Sequence, residues 1–333
     1  MPTKPEFTQA SNWQQELACS FTRVQEFLEH VNLSRLYDQS LEHAGSRFSF
    51  RVTRHFASLI KKGDATDPLL LQVLPSAQEL QTRADFSLDP LQDQQAHQGA
   101  GILQKYHGRA LLISTSACAI NCRYCFRRHF PYTSHQAARD KWSAAINTLQ
   151  ASPDITEIIL SGGDPLSLSN ARLDDLLTLL QTIPQLARLR IHTRLPVVLP
   201  NRIDGELLRV LGAVKLPLAM VIHVNHPNEM SVELHQSLAA LRAINITLLN
   251  QAVLLKGVND KLEHQVELCE KLYSSGVLPY YLHLLDKVEG SRHFEVSRQQ
   301  ARELHHAMAA RLPGYLLPRL VTEIPGSSRK FPD

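Results

Sequence analysis

Residues 115–128 read TSACAINCRYCFRR, and this stretch decides the fold because it sets three cysteines directly after an apolar run at 110–115. Cys118, Cys122 and Cys125 have the spacing C-x3-C-x2-C. Three thiolates this close can bind three irons of one iron–sulfur cubane and leave the fourth iron open to a small molecule. The apolar run predicts a β-strand, so the thiols should follow the C-terminal end of that strand.

Zinc is the alternative occupant of this loop. Structural zinc usually takes four ligands, often as two C-x2-C pairs, and the sequence has no second pair. His129 could serve as a fourth ligand, so the spacing alone leaves zinc open. Arg123, Arg127 and Arg128 make the loop cationic, which favours thiolates and anionic ligands.

Composition excludes several protein classes. A hydrophobic share of 44% and a charged share of 20% over 333 residues are ordinary for a globular enzyme, and a net charge of +3 is too small to indicate nucleic-acid binding. The first residues lack the apolar core of a signal peptide, and no run approaches membrane-spanning length, so we expect a cytoplasmic protein without membrane contact. Cys19 and Cys269 lie in helix-like stretches and are expected to be inert packing residues.

The first third of the chain predicts helices and loops. Residues 11–31 have helical periodicity with Ser11 as a plausible N-cap, and a second helix is expected over 54–62. Residues 76–101 are polar and rich in turn formers, as in a wrapping segment. We therefore divide the chain into an N-terminal helical and wrapping region, 1–98, and a larger unit, 99–333.

From residue 109 onward, strand-like and helix-like stretches alternate. The apolar runs are 110–115, 157–160, 188–192, 218–224, 246–255 and 278–285, and the helical stretches are 137–150, 174–182, 205–211, 232–243, 262–274 and 298–312. Six such units predict a parallel sheet with helices outside it, and right-handed crossovers curl it into an open barrel. The near-continuous apolar character of the strands predicts burial on both faces. The predicted fold class is α/β, a partial (β/α)6 barrel.

Polar side chains follow the predicted strands. They are the cysteine loop, SGGDP at 161–165, His192 with Arg194, His223 with Asn225 and His226, Gln251 with Lys256, and His283 with Asp286. Parallel barrels place reactive groups where strands end, so these side chains should share one cavity.

The cysteine spacing with Tyr124 before the last thiol resembles the radical S-adenosylmethionine superfamily. The longer string CRYCFRRHFPY resembles its lysine 2,3-aminomutase branch, and most of all the short members that make β-lysine for elongation factor P. The resemblance covers the chain from about residue 50 to its end. It implies a partial barrel with a [4Fe–4S] cluster on the three cysteines and S-adenosylmethionine beside it. The implied S-adenosylmethionine-binding residues are Tyr124, Ser161, Gly162, Gly163, Asp164, His223 and Gln251.

The resemblance also implies pyridoxal 5'-phosphate. Lys330, after a Pro-Gly-Ser-Ser turn, matches the lysine that forms the Schiff base, although composition alone suggests only a solvated charge. Lys105, Tyr106 and Arg109 match residues around the phosphate, and the family commonly has arginine where Lys105 stands.

Substrate contacts follow from charge and resemblance together. Arg127 matches the arginine that binds the α-carboxylate, and guanidinium suits that bidentate contact. Asp286 and Glu323 match two aspartates that bind the far ammonium of lysine, with Glu323 one methylene longer. We expect this departure to bear on the substrate pose and on the product stereochemistry.

The resemblance implies conversion of (S)-α-lysine to (R)-β-lysine for modification of elongation factor P. A β-lysine ligase and a reductant such as flavodoxin are the expected functional partners, and no nucleic acid is expected. Supply of free β-lysine to another pathway stays open. The acidic pair argues against glutamate as substrate. Lys330 and SGGDP argue against a cluster-bearing scaffold without turnover. The C-terminal extension of the clostridial-type aminomutases is not expected here.

Overall fold

The computed structural model describes residues 13–132, 142–327 and 329–333. The described part of the first hundred residues is mainly helical, as predicted. It contains α1 Trp13–Ala18, α2 Val24–His30, α3 Gln39–Arg47, α4 Arg54–Ser58 and α5 Pro68–Leu71, with 3-10 turns at Ser34–Leu36 and Ala77–Leu80. Thr53 caps α4 by accepting from the amide of Phe56.

The predicted helix over 11–31 is in fact two helices. Phe21 pairs with Val52 in an isolated antiparallel bridge, and this extended residue ends the helical path between α1 and α2. Cys19 therefore lies outside a helix and is exposed, so the packing role predicted for it is wrong, whereas Cys269 is buried in a helix. The proposed cap Ser11 lies outside the described residues.

A nine-stranded open sheet forms the rest of the fold, in the spatial order β1 to β9. The strands are β1 Ile102–Tyr106, β2 Arg109–Thr115, β3 Glu157–Gly162, β4 Arg188–Thr193, β5 Leu218–Ile222, β6 Thr247–Val253, β7 Leu278–His283, β8 Arg319–Thr322 and β9 Phe331–Pro332. Strands β2 to β8 are parallel, and β1 and β9 pair antiparallel at the two edges.

Helices connect the parallel strands in sequence. They are α6 Ser143–Gln150, α7 Asn170–Leu180, α8 Leu195–Val198, α9 Gly205–Gly212, α10 Val232–Ala243, α11 Leu262–Ser274 and α12 Arg298–Ala309, with 3-10 turns at Pro165–Ser167, Pro200–Arg202, Pro227–Glu229 and Arg292–Phe294. Six strand–helix units followed by β8 confirm the predicted partial (β/α)6 barrel. Part of the predicted helix over 137–150, residues 137–141, lies outside the described residues.

Burial of the strands corrects one prediction. Along β4, β6 and β7, buried residues facing the helices are interleaved with half-buried ones such as His192, Gln251 and Tyr281. These half-buried positions line a cavity on the concave side of the sheet. The prediction of burial on both faces is therefore wrong for these strands, because the side chains of the inner face line the cavity.

One hydrophobic core runs through both parts of the chain. It extends from Trp13 and Phe27 in the helical region to Leu160 and Leu238 in the barrel. The division at residue 98 stays a prediction. No helix in the described ranges is long and apolar enough to span a bilayer.

Candidate active site

A cavity of about 520 Å³ lies inside the curved sheet. Its lining includes residues of every strand except β5, after which His223 lines it, and among them are Lys105 of β1, His192 of β4 and Pro332 of β9. The cysteine loop follows the end of β2 and Arg109 begins that strand, and both line the cavity. At roughly 3.3 Å per residue, the seven residues of β2 separate these two groups by about 20 Å. The cavity can therefore hold several ligands end to end.

Most of the predicted strand-end residues reach this cavity. Those that line it are Cys118, Cys122, Cys125, Ser161, Gly162, Gly163, Asp164, His192, Arg194, His223, Gln251, His283 and Asp286. Lys256 does not line it, because β6 ends at Val253 and Lys256 lies beyond that end, at a separate surface pocket with Arg292 and Glu295. Asn225 is fully buried beside the cavity, and His226 caps the turn Pro227–Glu229.

The three thiols suit a cationic metal cluster. Burial, together with the nearby charges of Cys125 and Cys122, raises the pKa of Cys118 well above its usual value. Burial and Cys122 raise the pKa of Cys125 to about 11. A raised pKa means that the thiolate is unfavourable without a neighbouring cation. A metal ion that replaces the proton supplies the positive charge that stabilises the thiolate. His129, the possible fourth zinc ligand, instead directs Nε2 at the carbonyl of Glu289, at 3.3 Å.

The arginines of the loop have partners that the sequence did not show. Arg123 and Arg128 both contact the buried carboxylate of Glu79, each at 2.6 Å. Arg127 contacts Asp93 at 2.7 Å. Carboxylates from residues 76–101 therefore compensate the charges of these three arginines. The contact with a cysteine comes instead from Arg194, outside the loop. Arg194 donates from Nη1 to Cys122 Sγ at 2.7 Å.

The two glycines of SGGDP are required by packing against the cysteine loop. A Cβ at Gly163 would lie 2.3 Å from the Ala117 carbonyl oxygen, and one at Gly162 would lie 2.6 Å from that of Thr115. Gly162 also has φ of +114°, which favours glycine. The lack of side chains at these two positions admits the backbone of residues 115–117. Tyr132 donates to the Gly162 carbonyl at 2.6 Å.

Asp164 is occupied within the protein. Its Oδ1 accepts from the Leu166 amide and the Thr193 hydroxyl, and its Oδ2 accepts from the amides of Arg194 and Leu195. Two donors on each oxygen fill the lone pairs of a carboxylate. Asp164 therefore joins the turn to the end of β4, and direct contact with a ligand amine stays a prediction.

The other residues predicted around S-adenosylmethionine lie near one another. Tyr124 is buried, with its hydroxyl accepting from Arg194 and Asn225, and its ring lies 5.8 Å from that of His223. Burial and the charge of Arg194 lower the pKa of His223 to about 3, so this imidazole is neutral at pH 7. Gln251 of β6 lines the same cavity.

An alternating row of charges crosses the cavity. Asp93 bridges Arg127 and Lys105, with oxygen–nitrogen distances of 2.7 and 2.5 Å. Lys105 continues to Glu323 at 3.1 Å, and Glu323 reaches Lys330 at 3.2 Å. Burial opposes ionisation of Asp93, yet Arg127 and Lys105 hold its pKa below its usual value. Sequence reasoning missed Asp93, since one aspartate in a polar stretch carries no distinguishing signal.

The two predicted acidic residues differ in protonation. Burial, with the charge of Glu323 beside it, raises the pKa of Asp286 to about 7. Burial also acts against Glu323, but Lys330 and Lys105 hold its pKa below the usual value. Glu323 is thus an anion without substrate, whereas Asp286 ionises near neutral pH.

Lys330 and the predicted phosphate residues lie along the same lining. Lys330 Nζ is 3.4 Å from His283 Nε2 and 5.3 Å from the centre of the Tyr281 ring. Arg109 stacks on Tyr106 at 4.7 Å, and its buried Nε has no hydrogen-bond partner among the residues that the structure describes. An orphaned buried guanidinium donor fits an anionic ligand such as phosphate. Lys105 is already held by two carboxylates.

Comparison with known proteins gives two kinds of similarity. The 4Fe-4S single cluster domain family matches residues 99–191, which include the three cysteines. Proteins named L-lysine 2,3-aminomutase are 43% identical to this chain in Haemophilus influenzae, covering 99% of this chain and 98% of the relative, and 43% in Escherichia coli, covering 96% and 94%. The relative of that name in Clostridium subterminale is 31% identical, covering 97% of this chain and 77% of the relative.

Proposed function

The chain belongs to the L-lysine 2,3-aminomutase family, and from this premise we propose that it isomerises (S)-α-lysine to β-lysine by moving the amino group from C2 to C3. The observation that carries the proposal is that one cavity holds the cysteine loop, Lys330 and the acidic pair Asp286 and Glu323. A binding module for lysine needs no cysteine loop, and an electron carrier needs no acidic pair.

Three cofactors fit the residues present. Cys118, Cys122 and Cys125 would hold a [4Fe–4S] cluster, with S-adenosylmethionine beside Tyr124, His223, Gln251 and the 161–164 turn. Lys330 would attach pyridoxal phosphate, with Arg109, Tyr106 and Lys105 near its phosphate. Together these groups would supply the radical that starts the reaction and the carbonyl carbon that binds the substrate amine.

The chain's own residues hold the substrate at both ends. Arg127 has its Nε on Asp93 and its Nη1 on Ser161, so its planar group is fixed at the cavity wall, where it can receive a carboxylate. Asp286 and Glu323 can receive the far ammonium. A hydrogen-abstraction step has little polar guidance at Cβ, so regiochemistry depends on fixing both ends.

Neutral imidazoles and apolar side chains line the same cavity. Burial lowers the pKa values of His192 and His283 well below the usual range, so both are uncharged at neutral pH. Side chains such as Val253 and Leu285 also line the cavity. A lining of this kind excludes water and protects a reactive intermediate from side reactions.

We further propose that the product is (R)-β-lysine and that it modifies elongation factor P through a β-lysine ligase, with flavodoxin as reductant and in the cytoplasm. The support is the similarity of the sequence string CRYCFRRHFPY to the short aminomutases. Glu323, one methylene longer than the aspartate common in the family, is the residue that the structure offers for a changed substrate pose.

The test is an anaerobic assay of reconstituted protein with lysine, S-adenosylmethionine and a reductant, with chromatographic separation of β-lysine enantiomers. We expect (R)-β-lysine, no turnover of glutamate, and no product from Lys330→Ala. Absence of β-lysine from protein that holds all three cofactors would overturn the proposal. A second arm adds elongation factor P and its ligase; modification supported equally by (S)-α-lysine without this enzyme would refute the finer assignment.

A further inference from the structure

Arg194 contacts a cysteine of the cluster loop from a different strand. It follows β4 and is only 6% exposed. Its Nη1 donates to Cys122 Sγ at 2.7 Å and to the Tyr124 hydroxyl at 2.6 Å. Its Nη2 donates to Gln72 at 2.7 Å and to Glu229 at 2.9 Å.

The contact is built from several parts of the fold. The amide of Arg194 donates to Asp164 at 2.7 Å, which fixes the start of the side chain. Glu229 in turn accepts at Oε1 from Gln72 and from the amides of Asn225 and His226. The guanidinium is therefore held by the helical region, the end of β4 and the loop after β5. With both terminal nitrogens of the guanidinium bonded to buried partners, this arrangement keeps its geometry when other ligands bind.

The charge of Arg194 is permanent. A guanidinium stays protonated in proteins, and that of Arg194 also lies 2.9 Å from the carboxylate of Glu229. The arginines inside the cysteine loop contact carboxylates instead: Arg123 and Arg128 contact Glu79, and Arg127 contacts Asp93. Arg194 differs from these three arginines because its guanidinium donates to a cysteine sulfur.

We infer that Arg194 is a positioning residue that raises the reduction potential of the iron–sulfur cluster by donating a charged hydrogen bond to the Cys122 thiolate, with Glu229 moderating the effect. The inference rests on the proposed function, since it presumes the cluster. Reduction brings one electron from the external reductant into the cluster and breaks no bond to Arg194. A cation and a hydrogen bond at a ligand sulfur stabilise the more negative, reduced state.

The test is a potentiometric titration of anaerobically reconstituted protein, followed by electron paramagnetic resonance of the reduced cluster. In Arg194→Gln we expect a lower potential: at a fixed electrode potential the ratio of reduced to oxidised cluster should fall about tenfold, a shift of about 59 mV for one electron. Glu229→Gln should shift the potential upward, because it removes an anion beside the same guanidinium, while Gln72 still accepts from Nη2. A general loosening of the fold would not shift the reduction potential in opposite directions in these two variants.

Arg202→Gln is the matched control. Arg202 is fully buried and donates to the carbonyls of Leu166 and Leu168, and its loss should leave the potential unchanged. An unchanged potential in Arg194→Gln with an intact cluster overturns the inference but leaves the proposed function standing. If Arg194→Gln holds no cluster, Glu229→Gln decides: an upward shift supports the inference, and a downward or absent shift overturns it. Wild-type protein that binds no cluster overturns both.

Discussion

At the residue scale, Glu323 pairs with two lysines: its oxygens contact Lys105 and Lys330. In the proposed function it also receives the substrate ammonium, together with Asp286. Loss of one partner from a buried charge pair costs about 3–5 kcal/mol, so Glu323→Gln should lower kcat/KM for lysine by about 10² to 10³ or more. Glu323→Asp keeps the charge and should retain activity while changing the ratio of β-lysine enantiomers.

Steady-state kinetics with chiral product analysis checks this prediction, and cluster absorbance with pyridoxal phosphate content serves as the control. Both cofactors should stay bound in Glu323→Asp. If Glu323→Gln kept kcat/KM within a few-fold of wild type, the ammonium would be bound elsewhere.

Asp286 gives the site a pH dependence. Its pKa is raised to about 7 by burial and by Glu323, so the group is neutral below pH 7 and cannot pair with an ammonium ion there. As pH rises from 6 to 8, Asp286 ionises, and kcat/KM for lysine should rise by up to about tenfold per unit below pH 7. A kcat/KM profile from pH 6 to 9 measures this. Asp286→Asn should be weaker and flat in this range; the same slope in that variant would assign it to another group.

Gly163 and Gly205 allow a matched comparison at the element scale. A Cβ at Gly163 would collide with backbone atoms of Ser116 and Ala117, whereas a Cβ at Gly205, the first residue of α9, meets nothing within 4 Å. Gly163→Ala should separate the 161–165 turn from the cysteine loop, lowering the melting temperature and the iron content. Gly205→Ala should leave both unchanged. Equal iron content in the two variants would show that the loop tolerates displacement.

The elements that sequence predicted well are those whose pattern is local. Apolar runs located β2 to β7, and the helices Val232–Ala243 and Leu262–Ser274 begin and end where periodicity placed them. The missed strands are β1, whose sequence ILQKY is half polar, and β9, which has only two residues. Each of these two strands forms by pairing with the exposed edge of its neighbour, β2 or β8. Pairing of this kind leaves no periodic pattern of apolar residues in the sequence. The apolar run 246–255 likewise outlasts β6, which misplaced Lys256.

Long-range pairing explains what the sequence could not show about the site. The arginines of the site bind partners from distant segments. Asp93 pairs with Arg127, and Glu79 pairs with both Arg123 and Arg128. Arg194 pairs with Glu229 and donates a hydrogen bond to Gln72. Each of these partners is an ordinary polar residue in its own neighbourhood. The cysteine loop, by contrast, can be recognised from the sequence because its three cysteines lie close together along the chain.

At the scale of the whole molecule, Glu79 ties the helical region to the barrel. It is buried between the guanidinium groups of Arg123 and Arg128, on either side of Cys125, and its loss leaves two buried cations without their anion. Removal of one member of a buried ion cluster typically costs about 3–5 kcal/mol, whereas an exposed pair contributes about 0–1 kcal/mol. Glu79→Gln should therefore lower the free energy of unfolding by several times more than Glu26→Gln, the exposed partner of Arg23 on α2.

Urea titration of the two variants and wild type, followed by circular dichroism and by cysteine accessibility, measures this difference. If the helical region and the barrel form one cooperative unit, both signals should shift together in Glu79→Gln. A cysteine loop that becomes accessible at lower urea than the helical signal is lost would mean that the barrel opens first. In that case the continuous core from Trp13 to Leu238 would not fix the loop, and the cluster would depend on the helical region only through Glu79.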